Sequence, residues 1–427
     1  MTPAARVAAT IEILTEIARG DAPADAVLAD WFRGHRFAGS GDRRAIRERV
    51  YADFRAGALR RWAVQAGDGD PTSPRLRTIV GLALEAPEAV EALFDGTGYG
   101  PPPLSVAERA LSDAVGKLEM AAAPDNVDGN CPADLYPLLL DQWGAACAGE
   151  LAALNQIAPV DLRVNGLRAT RDEAQVRLAA DGYDAEPTPF SPLGLRGTAR
   201  GNFQQLGAYR EGLIDPQDES SQLVTMLVDA TPGLRVVDYC AGAGGKALAL
   251  AAAAGNQAEI VACDVSRSRL DRITPRTARL GVESVQCLEV ATDSAPDALK
   301  GWADRVLIDA PCSGTGTWRR SPDMRWRTSL ETIAACTREQ DSLLDAATTM
   351  VRTGGRIIYA VCSVLESEGR ARVDAFLARH PGFQSLPLNE VLDTELVSRL
   401  GCSEDLVLTP NRHNTDGMFA AVLVHRP

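Results

Sequence analysis

The sequence predicts an all-helical domain over residues 1–157, a small α+β insert over 158–230 and a Rossmann-like α/β domain over 231–427. Three observations lead there. Residues 2 to about 157 carry only helical periodicity. The pattern changes at Pro159, where strand-like alternation begins. From Leu234 onward, short apolar runs alternate with amphipathic stretches, the arrangement that builds a doubly wound, mainly parallel sheet.

Thr2 caps the first helix with Pro3 at its first position, and Ile11, Leu14, Ile17 and Ala18 form its apolar stripe. Further helices are expected at 24–31, 42–64, 75–84, 105–118 and 133–154, with the Gly/Pro-rich stretch 96–103 as a loop. In the insert, Val160 to Asn165 alternates like a strand. Thr170, with Glu173 three residues on, forms a capping box for a helix reaching about Ala180, and 187–197 is turn-rich. In the α/β part, strands are expected at 235–239, 259–263, 285–289, 305–308, 356–360, 406–409 and 418–424. Helices are expected at 246–254, 266–280, 330–351 and 366–379.

Composition narrows the function. The chain is 45% hydrophobic and 24% charged, as in soluble globular proteins, and no run of about 18 apolar residues offers a membrane span. Its start lacks a signal-peptide core with a cleavage pattern, so a cytoplasmic protein without membrane contact is expected. Nine cysteines, none at zinc-site spacing, predict neither structural disulfides nor a metal site. Cys240, Cys263 and Cys287 lie in or beside apolar runs and read as buried small hydrophobes. A net charge of −13 argues against broad electrostatic capture of nucleic acid. Two basic clusters run against that total: Trp31 to Arg61, and Arg319, Arg320, Arg325 and Arg327. A lone charge run usually marks a solvated helix face, whereas arginines beside a reaction centre suit phosphate.

The chemistry concentrates at predicted strand ends, where α/β folds bind ligands. Cys312 sits in Asp309-Ala310-Pro311-Cys312-Ser313-Gly314, after Val306-Leu307-Ile308, and Cys362 sits in Tyr359-Ala360-Val361-Cys362-Ser363. A third strand leads into the glycine turn Cys240-Ala241-Gly242-Ala243-Gly244-Gly245-Lys246, where backbone approaches a ligand closely. Asp264, at the end of the next strand, is placed to accept hydrogen bonds from ribose hydroxyls. Without a full Gly-x-Gly-x-x-Gly, S-adenosylmethionine is favoured over a nicotinamide cofactor. A thiolate adds to C6 of a pyrimidine polarised at N3, and Asp309 is placed to supply that polarisation. His413 reads as a loop histidine shaping the last hairpin, with a minor RNA-binding role left open.

The segments VVDYCAGAGGK, ADRVLIDAPCSGTGTWRRSPDMRW, GGRIIYAVCSVLESEG and TPNRHNTDGMFAAVL resemble the Sun-type family of RNA cytosine-C5 methyltransferases, from about Pro159 to the end. Ala26 to Arg33, with Gly41 to Ile46, looks like the NusB-like RNA-binding domain of the family's bacterial 16S ribosomal RNA members. The resemblance implies that Cys362 is the nucleophile and that Cys312 helps release the methylated base. It implies cofactor contacts from Cys240, Ala241, Gly242, Ala243, Gly244, Gly245, Lys246, Asp264, Arg269, Asp293 and Asp309, with Asp309 also near the cytosine. RNA contacts are expected from Arg43, Arg44, Arg319, Arg320 and Arg325. Three positions depart from the family pattern: Ala243 replaces a proline, Ala247 a threonine, and Val361 the threonine before the nucleophile. The register of Asp293 is open, with Asp297 as its competitor.

The expected reaction is methyl transfer from S-adenosylmethionine to C5 of a cytosine in ribosomal RNA. The helical leader favours 16S, and the route is a covalent cysteine–C6 adduct on a flipped or unpaired base. Ribosomal RNA is the expected partner, without an obligatory protein partner. The rivals are a transfer RNA methyltransferase, a catalytically inactive RNA-binding or antitermination factor, and a DNA cytosine methyltransferase. Intact Cys362, Cys312, Asp309 and Lys246 disfavour the inactive factor. A DNA enzyme would carry its nucleophile in the Pro-Cys pair, at Cys312.

Overall fold

The computed structural model describes residues 1–20, 22–119, 122–198, 203–291 and 295–426. The chain forms two compact units, Met1–Gln156 with Trp318–Leu330, and Ile157–Thr317 with Glu331–Pro427.

The first unit is helical. Thr2 Oγ1 accepts the Ala5 amide at 3.2 Å and starts helix Pro3–Arg19, whose Ile13 and Leu14 are buried. The stretch expected as one helix over 42–64 is two, Ser40–Arg55 and Gly57–Ala66. They meet at Gly57, where a Cβ would lie 2.4 Å from the Trp326 ring, so only glycine admits the indole. The expected helix 133–154 is likewise split, into Tyr136–Trp143 and Cys147–Asn155, by a turn at Gly144.

Segment Trp318–Leu330 belongs to this helical unit, which corrects the reading of its arginines. Arg325 is fully buried and sends Nη1 to Asn130 O and Asn155 Oδ1, both at 2.9 Å, and Nη2 to Leu154 O at 3.0 Å. Arg319 is buried too. Asp323 accepts the Ala24 amide at 3.0 Å, capping helix Ala24–Gly34, whose own N-cap residue Pro23 has no side-chain cap. Trp326 donates Nε1 to Phe54 O at 2.9 Å beneath the Arg61 guanidinium. The guanidinium of Arg325 is therefore spent inside the protein and not displayed to RNA.

The second unit holds two sheets. The insert sheet is antiparallel, in the order β2-β3-β1-β4: β1 Val160–Val164, β2 Ala185–Pro187, β3 Gly194–Gly197 and β4 Ile214–Pro216. The turn-rich stretch 187–197 therefore closes a hairpin. Helix Arg171–Ala180, started by the expected Thr170–Glu173 capping box, covers this sheet through Ala174 and Leu178.

The large sheet comprises β5 Arg235–Asp238, β6 Glu259–Asp264, β7 Val285–Glu289, β8 Ala303–Asp309, β9 Val351–Val361, β10 Phe383–Leu386, β11 Leu406–Leu408 and β12 Met418–His425. Its order is β10-β12-β9-β8-β5-β6-β7, with β11 paired to β12. Strands β5 to β9 are parallel, and β12 runs antiparallel between β9 and β10. The order reverses between β5 and β8, which opens a crevice over their carboxyl ends.

Helix Glu219–Val228 carries no pattern that sets it apart in the sequence, yet Leu223, Val224, Leu227 and Val228 are fully buried in the core of this sheet. The expected helix 366–379 starts only at Arg370, because 362–369 form a loop over the strand ends. Cys263 is buried as expected, whereas Cys287 is exposed, since β7 is the edge strand of the sheet and carries exposed residues on both faces. Among the described residues no helix is long and apolar enough to cross a membrane.

Candidate active site at the strand ends

The glycine turn follows β5. Gly242 and Gly244 have φ of +55° and +79°, and a Cβ on Gly244 would lie 2.7 Å from Ile273 Cγ1, so the turn needs glycine there on two counts. Asp264, at the end of β6, fixes the turn: its Oδ2 accepts the Gly242 amide at 2.9 Å and its Oδ1 the Ser266 amide at 2.8 Å. A carboxylate has about four acceptor positions, so capacity remains for hydroxyl donors. Arg269 stands 3.8 Å from Asp264, largely in solvent. The Ala243 carbonyl accepts from Arg276, which also pairs with Asp215 of the insert. Gln217 donates to Gly245 O at 3.3 Å.

Lys246, buried in the first turn of helix Gly245–Ala253, donates to Asp309 Oδ2 at 2.5 Å. Burial opposes its charge, but Asp309 and Asp238 outweigh that and raise its pKa. Asp238, at the end of β5, is wholly buried, and neither oxygen makes a hydrogen bond of normal geometry among the described residues. Burial and the nearby Asp309 push its carboxyl up to about 7. Two carboxylates, those of Asp309 and Asp238, therefore act on one ammonium. Such a site favours a cationic ligand, and with its open backbone turn it fits the sulfonium and ammonium groups of S-adenosylmethionine.

The two thiols lie 3.4 Å apart, Cys312 just past β8 and Cys362 just past β9. The hydrogen bond to Cys362, burial, and the charges of Cys362 and Glu368 push the Cys312 thiol well above its usual range. The loops are joined by Gly316 N donating to Cys362 O at 3.1 Å, and Gly417 N donates to Gly316 O at 2.9 Å.

The fold therefore brings Cys240 to Lys246, Asp264, Asp309, Cys312 and Cys362 to the ends of four neighbouring strands. Asp293 lies outside the described residues, and its competitor Asp297 pairs with Lys300 at 2.6 Å. Arg43 donates to Ala38 O at 2.9 Å and lies over the Phe32 ring, whereas Arg44 is exposed and Arg320 half-buried. His413 is buried, with Nδ1 accepting the Thr409 amide at 3.1 Å and Nε2 meeting Leu400 O at 3.0 Å, a loop-shaping position. Asp238 and Glu368 carried no role in the sequence reading, because nothing local marks a carboxylate whose neighbours come from distant segments. No cluster of metal-ligating residues exists among the described residues.

Residues 225–424 match a family model described as 16S rRNA methyltransferase RsmB/F, and residues 132–203 match an RsmF/B-like ferredoxin-like domain. A Synechocystis protein described as "Probable ribosomal RNA small subunit methyltransferase B" is 34% identical over 294 residues, 68% of this chain and 65% of that protein. Ribosomal RNA small subunit methyltransferase B of Pseudomonas syringae pv. tomato is 35% identical over 252 residues, 58% of this chain and 54% of its own length. The matched stretch therefore spans less than two thirds of either relative. Among solved structures, PH0851 superposes with a TM-score of 0.80 over 99% of both chains at 26% identity. A methyltransferase homolog from Pyrococcus horikoshii gives 0.58 over 67% of this chain and 93% of that one, at 25% identity. The architecture is the expected one, a NusB-like helical region, a small α+β insert and a Rossmann-like core, and the family match identifies the insert as ferredoxin-like.

Proposed function

Because this chain belongs to the RsmB/F family of 16S rRNA methyltransferases, we propose that it methylates C5 of a cytosine in ribosomal RNA through a covalent adduct with Cys362. The observation that carries this reading is the pair of thiols 3.4 Å apart, beside the Lys246–Asp309 ion pair. S-adenosylmethionine, bound at the glycine turn and Asp264, supplies the methyl group. The chain's own residues do the rest.

Cys362 attacks C6 as a thiolate, and the electron pair displaced toward C5 makes that carbon the methyl acceptor. Asp309, with Lys246 behind it, accepts a hydrogen bond from the base protonated at N3 and so eases the build-up of charge on the ring. The Sγ–C6 bond turns Cys362 into a neutral thioether. With the Cys362 hydrogen bond and charge gone, Cys312 is freer to ionise than before the adduct formed, against the burial and the Glu368 charge that remain. It then takes the C5 proton, the C5–C6 double bond re-forms, and Cys362 leaves as thiolate.

RNA backbone contacts fall to exposed arginines of the helical unit such as Arg44, with Arg325 removed from that set by its burial. Bisulfite sequencing of ribosomal RNA incubated with the protein and S-adenosylmethionine tests the reading: one protected cytosine is expected. Incorporated methyl label without any protected cytosine would overturn it.

A further inference from the structure

The carboxylate of Glu368 has no exposed surface and touches both cysteine loops at once. Its Oε1 accepts the Ser313 amide at 2.8 Å and Gln340 Nε2 at 3.1 Å. Its Oε2 accepts Ser363 Oγ at 2.6 Å and also Ser313 Oγ. Ser313 follows Cys312 and Ser363 follows Cys362, so one side chain grips the residue next to each thiol. Gln340 extends the grip to the other side of Cys312, donating to Pro311 O at 2.9 Å. Tyr359, on the strand that ends at Cys362, donates its hydroxyl to Glu368 O at 2.6 Å. Thr315 Oγ1 lies 2.9 Å from Ser363 Oγ and accepts the Val364 amide at 3.1 Å.

No cation pairs with Glu368 among the described residues, and its charge is held by neutral donors alone. Burying a carboxylate that way is costly unless every acceptor position is used. Here the donors come from three segments: the Cys312 loop, helix Leu330–Met350 and the Cys362 loop. A fold that merely needed to join two loops would do so with neutral groups at less cost. The anion instead draws four donors to one point and fixes the distance between two thiols that act in turn on one base.

We propose that Glu368 is the positioning residue that holds Cys312 and Cys362 in register. The proposal rests on the covalent reading above for its catalytic consequence, but its geometric core does not need that reading.

The test separates the two. Diamide takes the hydrogens of two adjacent thiols and leaves a disulfide, and mass spectrometry reads the Cys312–Cys362 linkage in full-length protein without RNA or cofactor. Glu368→Ala and Glu368→Gln should slow that linkage at least about tenfold, and Glu368→Asp should recover part of the rate. In turnover assays kcat should fall about 10–100-fold, the scale of lost hydrogen bonds to a charged group. The KM for RNA and the affinity for S-adenosylmethionine should stay within about twofold. If the Glu368 variants do not fold, Ser313→Ala and Ser363→Ala each remove one hydroxyl donor and should slow the linkage by smaller steps. Linkage at the unaltered rate in folded Glu368→Ala, or in both serine variants, overturns the proposal. Slowed linkage with unchanged kcat leaves the positioning role standing and contradicts the shared-base reading of the thiols.

Discussion

The crevice over β5, β8 and β9 and the segment Trp318–Leu330 both concentrate polar and charged groups, and they differ in which charged groups are left short of partners. In the crevice, Asp238 is buried without a normal hydrogen bond, and two thiols share one contact. In the segment, Arg325 sends both terminal nitrogens to protein acceptors, and Asp323 caps a helix. Buried polar groups left short of partners cost free energy, and a fold keeps them where a ligand or a reaction completes them. Buried polar groups that find partners hold the fold together. Position next to a reactive motif decides neither; partners do.

That contrast predicts different losses. The largest is at Cys362: Cys362→Ser should lower turnover by about 10⁴-fold, the scale of removing a nucleophile, with the melting temperature nearly unchanged. Substantial residual activity by methyl-label incorporation would move the site elsewhere.

Arg325→Met should do the reverse. Leaving Asn130 O, Leu154 O and Asn155 Oδ1 without that donor should destabilise the helical unit by about 2–4 kcal/mol. Cofactor affinity should hold. Denaturant unfolding and calorimetric titration check the two halves of this statement, and a folded variant impaired only in RNA binding would contradict it.

A smaller effect is expected at Asp264. Asp264→Ala should weaken S-adenosylmethionine binding by about 1.5–3 kcal/mol, since hydrogen bonds to a charged acceptor are lost. Unchanged affinity by calorimetry would remove Asp264 from the cofactor site.

The smallest concerns Asp238 and pH. Its folded pKa is raised to about 7, so the folded protein holds a proton that the unfolded carboxyl gives up at about 3.9. Its contribution is greatest at low pH and is lost as pH rises from about 4 to about 7. Asp238→Asn should therefore gain stability relative to the unaltered protein on going from pH 5 to pH 8, by on the order of 1 kcal/mol or more. Parallel stability curves across that range would show that Asp238 is ionised throughout.

Much of the site was legible because its signals are local. Apolar runs ending in Asp309-Ala310-Pro311-Cys312 and in Val361-Cys362 announce strand ends, and Gly242 and Gly244 announce a turn that other residues resist. The Trp318–Leu330 segment misled for the same reason. Its arginines read as surface because the acceptors that bury Arg325 sit at Asn130, Leu154 and Asn155, far away in the chain. Helix Glu219–Val228 escaped because its buried set also takes in Glu219, Ser220 and Gln222, polar residues that blur the apolar stripe. Glu368 escaped because its meaning lies in donors that come not only from its own loop but from the Cys312 loop and helix Leu330–Met350.

The division of labour between the thiols is the central claim, and trapping the adduct tests it most directly. Cys312→Ser and Cys362→Ser are each incubated with substrate RNA and S-adenosylmethionine, then run on denaturing gels. Cys312→Ser should accumulate a covalent protein–RNA complex carrying the methylated base, because attack by Cys362 proceeds and release does not. Cys362→Ser should form none. Adduct from Cys362→Ser and none from Cys312→Ser would reverse the two roles, and adduct from neither would contradict the covalent route.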